Sequence, residues 1–254
     1  MSIITNATSD ISTMSWRMAK HSFRNPTTLI SAFLLPVITL LLFTYGFGGA
    51  LDTHGVKYID FATPGVLLLI AVTSASTVAV AVSTDVKEGI VDRFRAMPIL
   101  RSSVLVSHVV ANTLRTLVAA VLVVLVALAI GFRPTAGVVE WAATIGMVVL
   151  LLLAVSWLAI ALGLAAGNPE GAANSTIGLL LLPYVSNAFV PTDTMPGWLQ
   201  TFTTHQPMTP IGHTLRSLLI GGPIGNDGIV SVAWCVGIMA VGALWARRGF
   251  ARSH

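Results

Sequence analysis

Charged residues are scarce in this sequence: Asp, Glu, Lys and Arg make up 9% of its 254 residues, against roughly a quarter in soluble domains. A chain so poor in charge cannot cover a water-facing surface, so lipid must cover much of it. The one cysteine, Cys235, sits in an apolar run. That excludes a disulfide within the chain, argues against a cysteine-built metal cluster, and leaves packing as its role. No G-x-x-x-x-G-K-[ST] occurs, so the chain does not bind ATP by a Walker loop. A G-x-S-x-G elbow and an H-E-x-x-H pair are also missing. His108, His205 and His213 are scattered without metal-ligand spacing, and read as interfacial or structural residues. Catalysis by this chain alone is not expected.

What is present is apolar length. Hydrophobic residues make up 55% of the chain, and the mean hydropathy is +0.84. About twenty apolar helical residues cross the roughly 30 Å hydrocarbon layer, and only a helix satisfies its backbone internally there. Six runs qualify: Thr28–Phe47, Pro64–Ser83, Val104–Ile130, Trp141–Ala166, Asn174–Val190 and Ile229–Ala246. The third and fourth are long enough to tilt or protrude. The fifth is short and holds Pro183, which removes a backbone bond and predicts a kink. The expected fold is all-α and membrane-integral, with residues 1–254 forming a single transmembrane domain.

The basic residues set the orientation. Arg17, Lys20, Arg24, Lys87, Arg93, Arg95, Arg101, Arg247, Arg248 and Arg252 lie on one side of this topology, ten of the fourteen. Lys57, Arg133 and Arg216 lie on the other. By the positive-inside rule both termini face the cytoplasm, in a multi-pass protein of the cell membrane. The net charge of +4 and pI near 9.7 do not imply nucleic acid, because these residues form no stripe with interleaved aromatics. The N-terminus lacks an apolar h-region, so no cleaved signal peptide is expected. Residues 9–24 read as a helix in the membrane surface, with Ile11, Met14 and Met18 on one face and Arg17, Lys20 and Arg24 on another. A frayed tail is the plainer alternative.

Within the runs, ionisable groups are nearly absent; Asp85, Glu88, Glu140 and Glu170 fall at helix ends or in loops. Arg115 is the exception, with Asn112 one turn before it. It is either a substrate or gating residue, or a side chain snorkelling to the cytoplasmic surface of an over-long helix. The second reading is preferred because the run exceeds what a bilayer needs.

Two connections carry more information than the spans. In the loop 85–102, Gly89 to Met97 reads as a short amphipathic helix stopped by Pro98. Ile90, Phe94 and Met97 share one face, as docking into a groove on another protein requires. An ordinary charged loop accounts for the arginines but not for the apolar face. The stretch 191–228 mixes Pro191, Pro196, Pro207, Pro210 and Pro223 with Met195, Trp198, Leu199, Phe202, Leu215, Leu218 and Leu219. A free loop is more polar than this, so short helices packed on the outer leaflet are expected, with Trp198 at the headgroups.

The segments GIVDRFRAMP at 89–98, FVPTDTMPGWLQ at 189–200, QPMTPIGHTLRSLLIGGPIGN at 206–226 and WCVGIMAVGALWARRGF at 234–250 resemble the type-2 ABC exporter permeases. The branch is that of the daunorubicin-resistance permeases, and the resemblance covers essentially the whole chain. It implies six transmembrane helices, an N-terminal interfacial helix, a cytoplasmic coupling helix and an extracellular re-entrant hairpin. It implies a separate ABC ATPase subunit in two copies, a second copy of this chain, and export of drug-like or lipid-like substrates. No cofactor is expected on this chain, with ATP and Mg on the partner ATPase. Carried over residue by residue, Glu88, Gly89, Asp92, Arg93, Phe94, Arg95, Met97 and Pro98 match the ATPase-coupling segment. Met97 stands where leucine is expected. Met195, Pro196, Trp198, Pro207 and Pro210 match the hairpin, as an extracellular gate. The rival readings are an ATP-independent channel or secondary transporter, and a membrane-embedded enzyme or scaffold; the last predicts a clustered polar active site that is not found.

Overall fold

A computed structural model describes residues 26–48, 57–89, 101–190, 192 and 195–252. The expected interfacial helix at 9–24, and residues 90–100 of the coupling loop, lie outside these. The described residues are helical, with no strand among them. Helix α1, Pro26–Leu41, runs on as a π-helix over Leu42–Phe47. It is followed by α2 (Tyr58–Lys87), α3 (Arg101–Ile130), α4 (Val138–Ala166), α5 (Pro169–Ser175), α6 (Ile177–Leu181), α7 (Gly197–His205), α8 (Met208–Ile220) and α9 (Asp227–Arg252).

Four of these helices are long and apolar enough to cross a membrane: Tyr58–Lys87, Val104–Ile130, Val138–Ala166 and Asp227–Gly249. The apolar helix Phe33–Gly46 is shorter. Asn174–Val190, the expected fifth run, is not one helix. Helix starts earlier, at Pro169, where the Asn168 side chain accepts the Gly171 N–H at 2.7 Å as an N-cap. It breaks at Thr176, where α5 ends and α6 begins, and gives way to turns after Leu181. The reason is local. Pro183 has no N–H for the Leu179 carbonyl, and its ring crowds that carbonyl. Ser175 and Thr176 turn their hydroxyls back onto the Ala172 and Ala173 carbonyls, at 2.8 and 2.7 Å.

Helix α2 is the centre of the bundle and packs against α1, α3, α4, α5 and α8, while α4 also carries α9. Small residues let backbones meet, as membrane packing requires. A Cβ on Gly163 would fall 2.4 Å from the Ala79 carbonyl oxygen, and one on Gly242 2.6 Å from the Leu158 nitrogen. These are the contact points of α4 with α2 and of α9 with α4. Leu68, Leu69, Leu151, Leu152, Ile160 and Leu215 fill the fully buried core. The chain thus has two ends, one carrying residues 87–101 and the other carrying α7 and α8.

Candidate functional site

At the first end, α2 runs past the expected Ser83 to Lys87. The Glu88 N–H bonds the Thr84 carbonyl at 2.9 Å, and the Gly89 N–H bonds Val86 at 3.1 Å. Gly89 takes a φ of +67°, and no described residue stands within 4 Å of an added Cβ, so its conformation is what favours glycine there. Of the expected coupling residues only Glu88 and Gly89 are described; Asp92, Arg93, Phe94, Arg95, Met97 and Pro98 lie outside. The roots of their loop are joined, because His108 Nε2 of α3 stands 2.8 Å from Asp85 Oδ2 of α2. The sequence shows His108 only as a scattered interfacial or structural histidine, because its partner lies 23 positions away, beyond the reach of a spacing argument.

In the middle of the bundle a polar node joins three helices. Asn112 Nδ2 of α3 donates to Ser74 Oγ of α2 at 3.1 Å and to Ser156 Oγ of α4 at 3.0 Å. Its Oδ1 accepts from Arg115 Nη2 at 2.7 Å. All four side chains are buried, Arg115 being 8% exposed. The guanidinium does reach back one turn toward the end carrying residues 87–101, as snorkelling predicts. It stops on Asn112 inside the bundle, not at a surface.

The opposite end holds the densest set of side-chain bonds, built around the non-helical stretch 182–190. Backbone outside a helix leaves carbonyls free, and in an apolar setting each costs several kcal/mol unless paired. Side chains from elsewhere pair them. Gln206 Nε2 donates to the carbonyls of Leu182 and Val185 at 3.2 and 2.8 Å, and Thr203 Oγ1 donates to Val185 at 3.0 Å. Arg216 Nη2 of α8 donates to Asn187 at 2.8 Å and, more weakly, to Ala188 and Phe61. Its guanidinium also lies 3.8 Å from the centroid of the Phe61 ring. Burial pushes the Arg216 guanidinium down to about 10, against a smaller opposing effect of Tyr58, so it is a cation at neutral pH. Tyr58 Oη of α2 bonds the Phe189 carbonyl at 2.9 Å, and the Phe189 ring stacks between Phe43 and Tyr184. Gly65 of α2 meets the Ala188 carbonyl so closely that a Cβ would sit 2.5 Å from it.

The expected gate residues lie around this cluster without forming it. Met195 Sδ is 3.5 Å from Thr203 Oγ1. Pro196 precedes α7, Pro207 precedes α8, and Pro210 is buried in the first turn of α8. Trp198 is 76% exposed. Gln206, Thr203 and Arg216 were not singled out from the sequence. Arg216 lies among apolar residues of the stretch 214–220, which is a signal, but Gln206 and Thr203 stand among several other polar residues and nothing local marks them out.

Comparison with known proteins settles the class. The family model described as "ABC-2 type transporter" matches residues 9–220. The chain belongs to the ABC-2 type transporter family. It is 35% identical over 208 residues to a daunorubicin resistance ABC transporter permease protein of Streptomyces coeruleorubidus, covering 81% of this chain and 73% of that one. It is 26% identical over 239 residues to a probable doxorubicin resistance ABC transporter permease protein of Mycobacterium tuberculosis, covering 93% and 86%. A putative transport permease of Pyropia yezoensis is 26% identical over 206 residues, covering 79% and 70%. The protein is a multi-pass membrane permease of an ABC exporter.

Proposed function

We propose that this permease exports drug-like or lipid-like amphiphiles across the cell membrane, from the cytoplasm or inner leaflet, with ATP and Mg bound and hydrolysed on a separate ATPase subunit. Two permeases and two ATPases make the working exporter, and both termini face the cytoplasm. The chain crosses the membrane six times, α1 and the broken α5–α6 segment making the two short crossings. Residues 191–228 then form an extracellular re-entrant hairpin. The family match carries this reading, since residues 9–220 include both the coupling loop and most of the hairpin.

ATP binding closes the ATPase pair and pulls on the segment Glu88, Gly89, Asp92, Arg93, Phe94, Arg95, Met97 and Pro98. That pull enters the bundle through α2 and α3, which the Asp85–His108 contact ties together at the loop's roots. At the far end α2 bears directly on the stretch 182–190 through Tyr58 and Gly65, and through Arg216, which bonds both Phe61 and Asn187. Movement of α2 therefore strains the bonds by which Gln206, Thr203 and Arg216 hold that stretch. Met195, Pro196, Trp198, Pro207 and Pro210 shape the hairpin that these bonds close. Among the described residues the buried side-chain oxygens of Asn187 and Gln206 have no partner, so they are available to a second arrangement.

Phe94→Asp puts a charge on the apolar face meant for the ATPase groove. The variant should insert normally, and export should fall to background while the ATPase still hydrolyses ATP. Export at the normal rate with its ATPase would refute the coupling assignment.

A further inference from the structure

Arg115 is used by neither end of this mechanism, and its position is costly. It lies 14 residues into α3, about 21 Å along the helix axis at 1.5 Å per residue. That is about 10 Å, two helical turns, beyond the Asp85–His108 contact. The described carboxylates stand at helix ends: Asp60 opens α2, Asp85 and Glu88 close it, and Glu140, Glu170 and Asp227 open α4, α5 and α9. Among the described residues none pairs with Arg115. Its one side-chain partner among them is Asn112 Oδ1, a neutral acceptor, whereas a guanidinium carries five N–H donors in a planar fork.

The groups around it are arranged to orient it, not to neutralise it. Asn112 is held by Ser74 and Ser156 from two other helices, which turns its carbonyl oxygen to the guanidinium and to the Thr116 hydroxyl. A buried cation without a counter-charge costs several kcal/mol, and intramembrane arginines mark ligand paths or paired charges. Here the orientation is built and the anion is not part of the described protein.

We infer that the Arg115–Asn112–Ser74–Ser156 node is a binding site for the anionic group of an amphiphile, a phosphate or carboxylate whose apolar tail lies along the helices. Arg115 binds the two oxygens with its fork, and Asn112 positions it. The headgroup belongs either to a transported molecule or to an anionic membrane lipid; the chemistry is shared. The site rests on the export reading only for the idea that amphiphiles reach the bundle, and binding is measured without any ATPase.

The full-length permease in phosphatidylcholine nanodiscs is titrated with dodecyl phosphate and with dodecanol. The expected result is binding about tenfold tighter for the phosphate, the size of one charged hydrogen-bonded contact. Arg115→Gln should remove the difference. Arg115→Lys, which keeps the charge and loses the fork, should keep part of it. Equal binding of the two probes by the unmutated protein overturns the site, a comparison that needs no variant to fold. Preference for phosphate persisting in a folded Arg115→Gln protein overturns it equally. Repeating the titration with phosphatidylglycerol in the disc separates the sources. Competition assigns the site to a lipid headgroup, and its lack assigns it to a transported amphiphile.

Discussion

Arg115 is a buried guanidinium and Arg216 a half-buried one, and their donors are met in different ways. Arg216 spends its donors on the backbone carbonyls of Asn187 and Ala188, which no helix satisfies, and on that of Phe61 in the first turn of α2. Replacing it with methionine keeps much of the bulk and removes those donors. Arg216→Met should lower the unfolding midpoint in detergent, with a cost of about 1–3 kcal/mol for the carbonyls left unpaired. Arg216→Lys should recover only part of it, because one ammonium cannot reproduce the fork. Gly163 shows the opposite kind of constraint, since it carries no chemistry and only lets α4 reach α2. With the Ala79 carbonyl 2.4 Å from any added Cβ, Gly163→Leu should force the helices apart. Overpacking of this kind costs about 1–3 kcal/mol or more, read as lower thermal stability and lower yield of inserted protein. A comparable change at Gly178, where no atom stands within 4 Å of a Cβ, should be tolerated and serves as the control.

At the scale of the element, the stretch 182–190 decides how the hairpin behaves. It is a broken helix made stable by Gln206, Thr203, Arg216 and Tyr58, so these donors form one latch with a shared acceptor segment. Gln206→Ala and Thr203→Val both act on the Val185 carbonyl, so their effects should not add. Each alone should raise uncoupled leak of substrate from loaded vesicles, and the double variant should raise it little further than the larger single effect. Additive effects would show that the two residues do not work on a common element. The loop end is different in kind, since Gly89 closes α2 by a left-handed residue. A β-branched residue costs about 1–2 kcal/mol in that conformation. Gly89→Val should extend or reorient the end of α2 and reduce coupled export, while ATPase activity of the assembled transporter persists.

Across the whole molecule, burial is uneven. The apolar stretches of α2 and α4 are mostly buried inside the chain, those of α3 and α9 mostly not. Large apolar side chains such as Leu114, Val118, Val121, Leu122 and Leu125 on α3, and Ile229, Val241 and Leu244 on α9, face outward. Lipid and a second permease are the proposed partners for these faces. If two copies assemble, cysteine pairs introduced along one outward face should cross-link between chains in native membranes. The rest should remain labelled by lipid-soluble reagents alone. Co-purification of a soluble protein with a Walker loop in equal number tests the assembly from the other side, and a different ratio would overturn the pairing of two permeases with two ATPases.

Apolar runs with charges at their ends already determine a membrane-embedded helical protein, because run length and charge placement are properties of contiguous residues. The sequence takes Gly89 as the start of a short helix and Pro183 as a kink, whereas Gly89 closes α2 and the fifth run breaks at Thr176 and again after Leu181. Only the tertiary structure decided how that break is stabilised, since the donors lie 18 to 29 positions away from the carbonyls they serve, and Tyr58 lies 131 away. It also decided that Arg115 ends on Asn112 inside the bundle, where sequence alone favoured a snorkelling side chain. Spacing along one helix tells which residues share a face; what that face meets is set by the neighbouring helices, and α2 and α4 supply Ser74 and Ser156 from sites 38 and 44 positions distant.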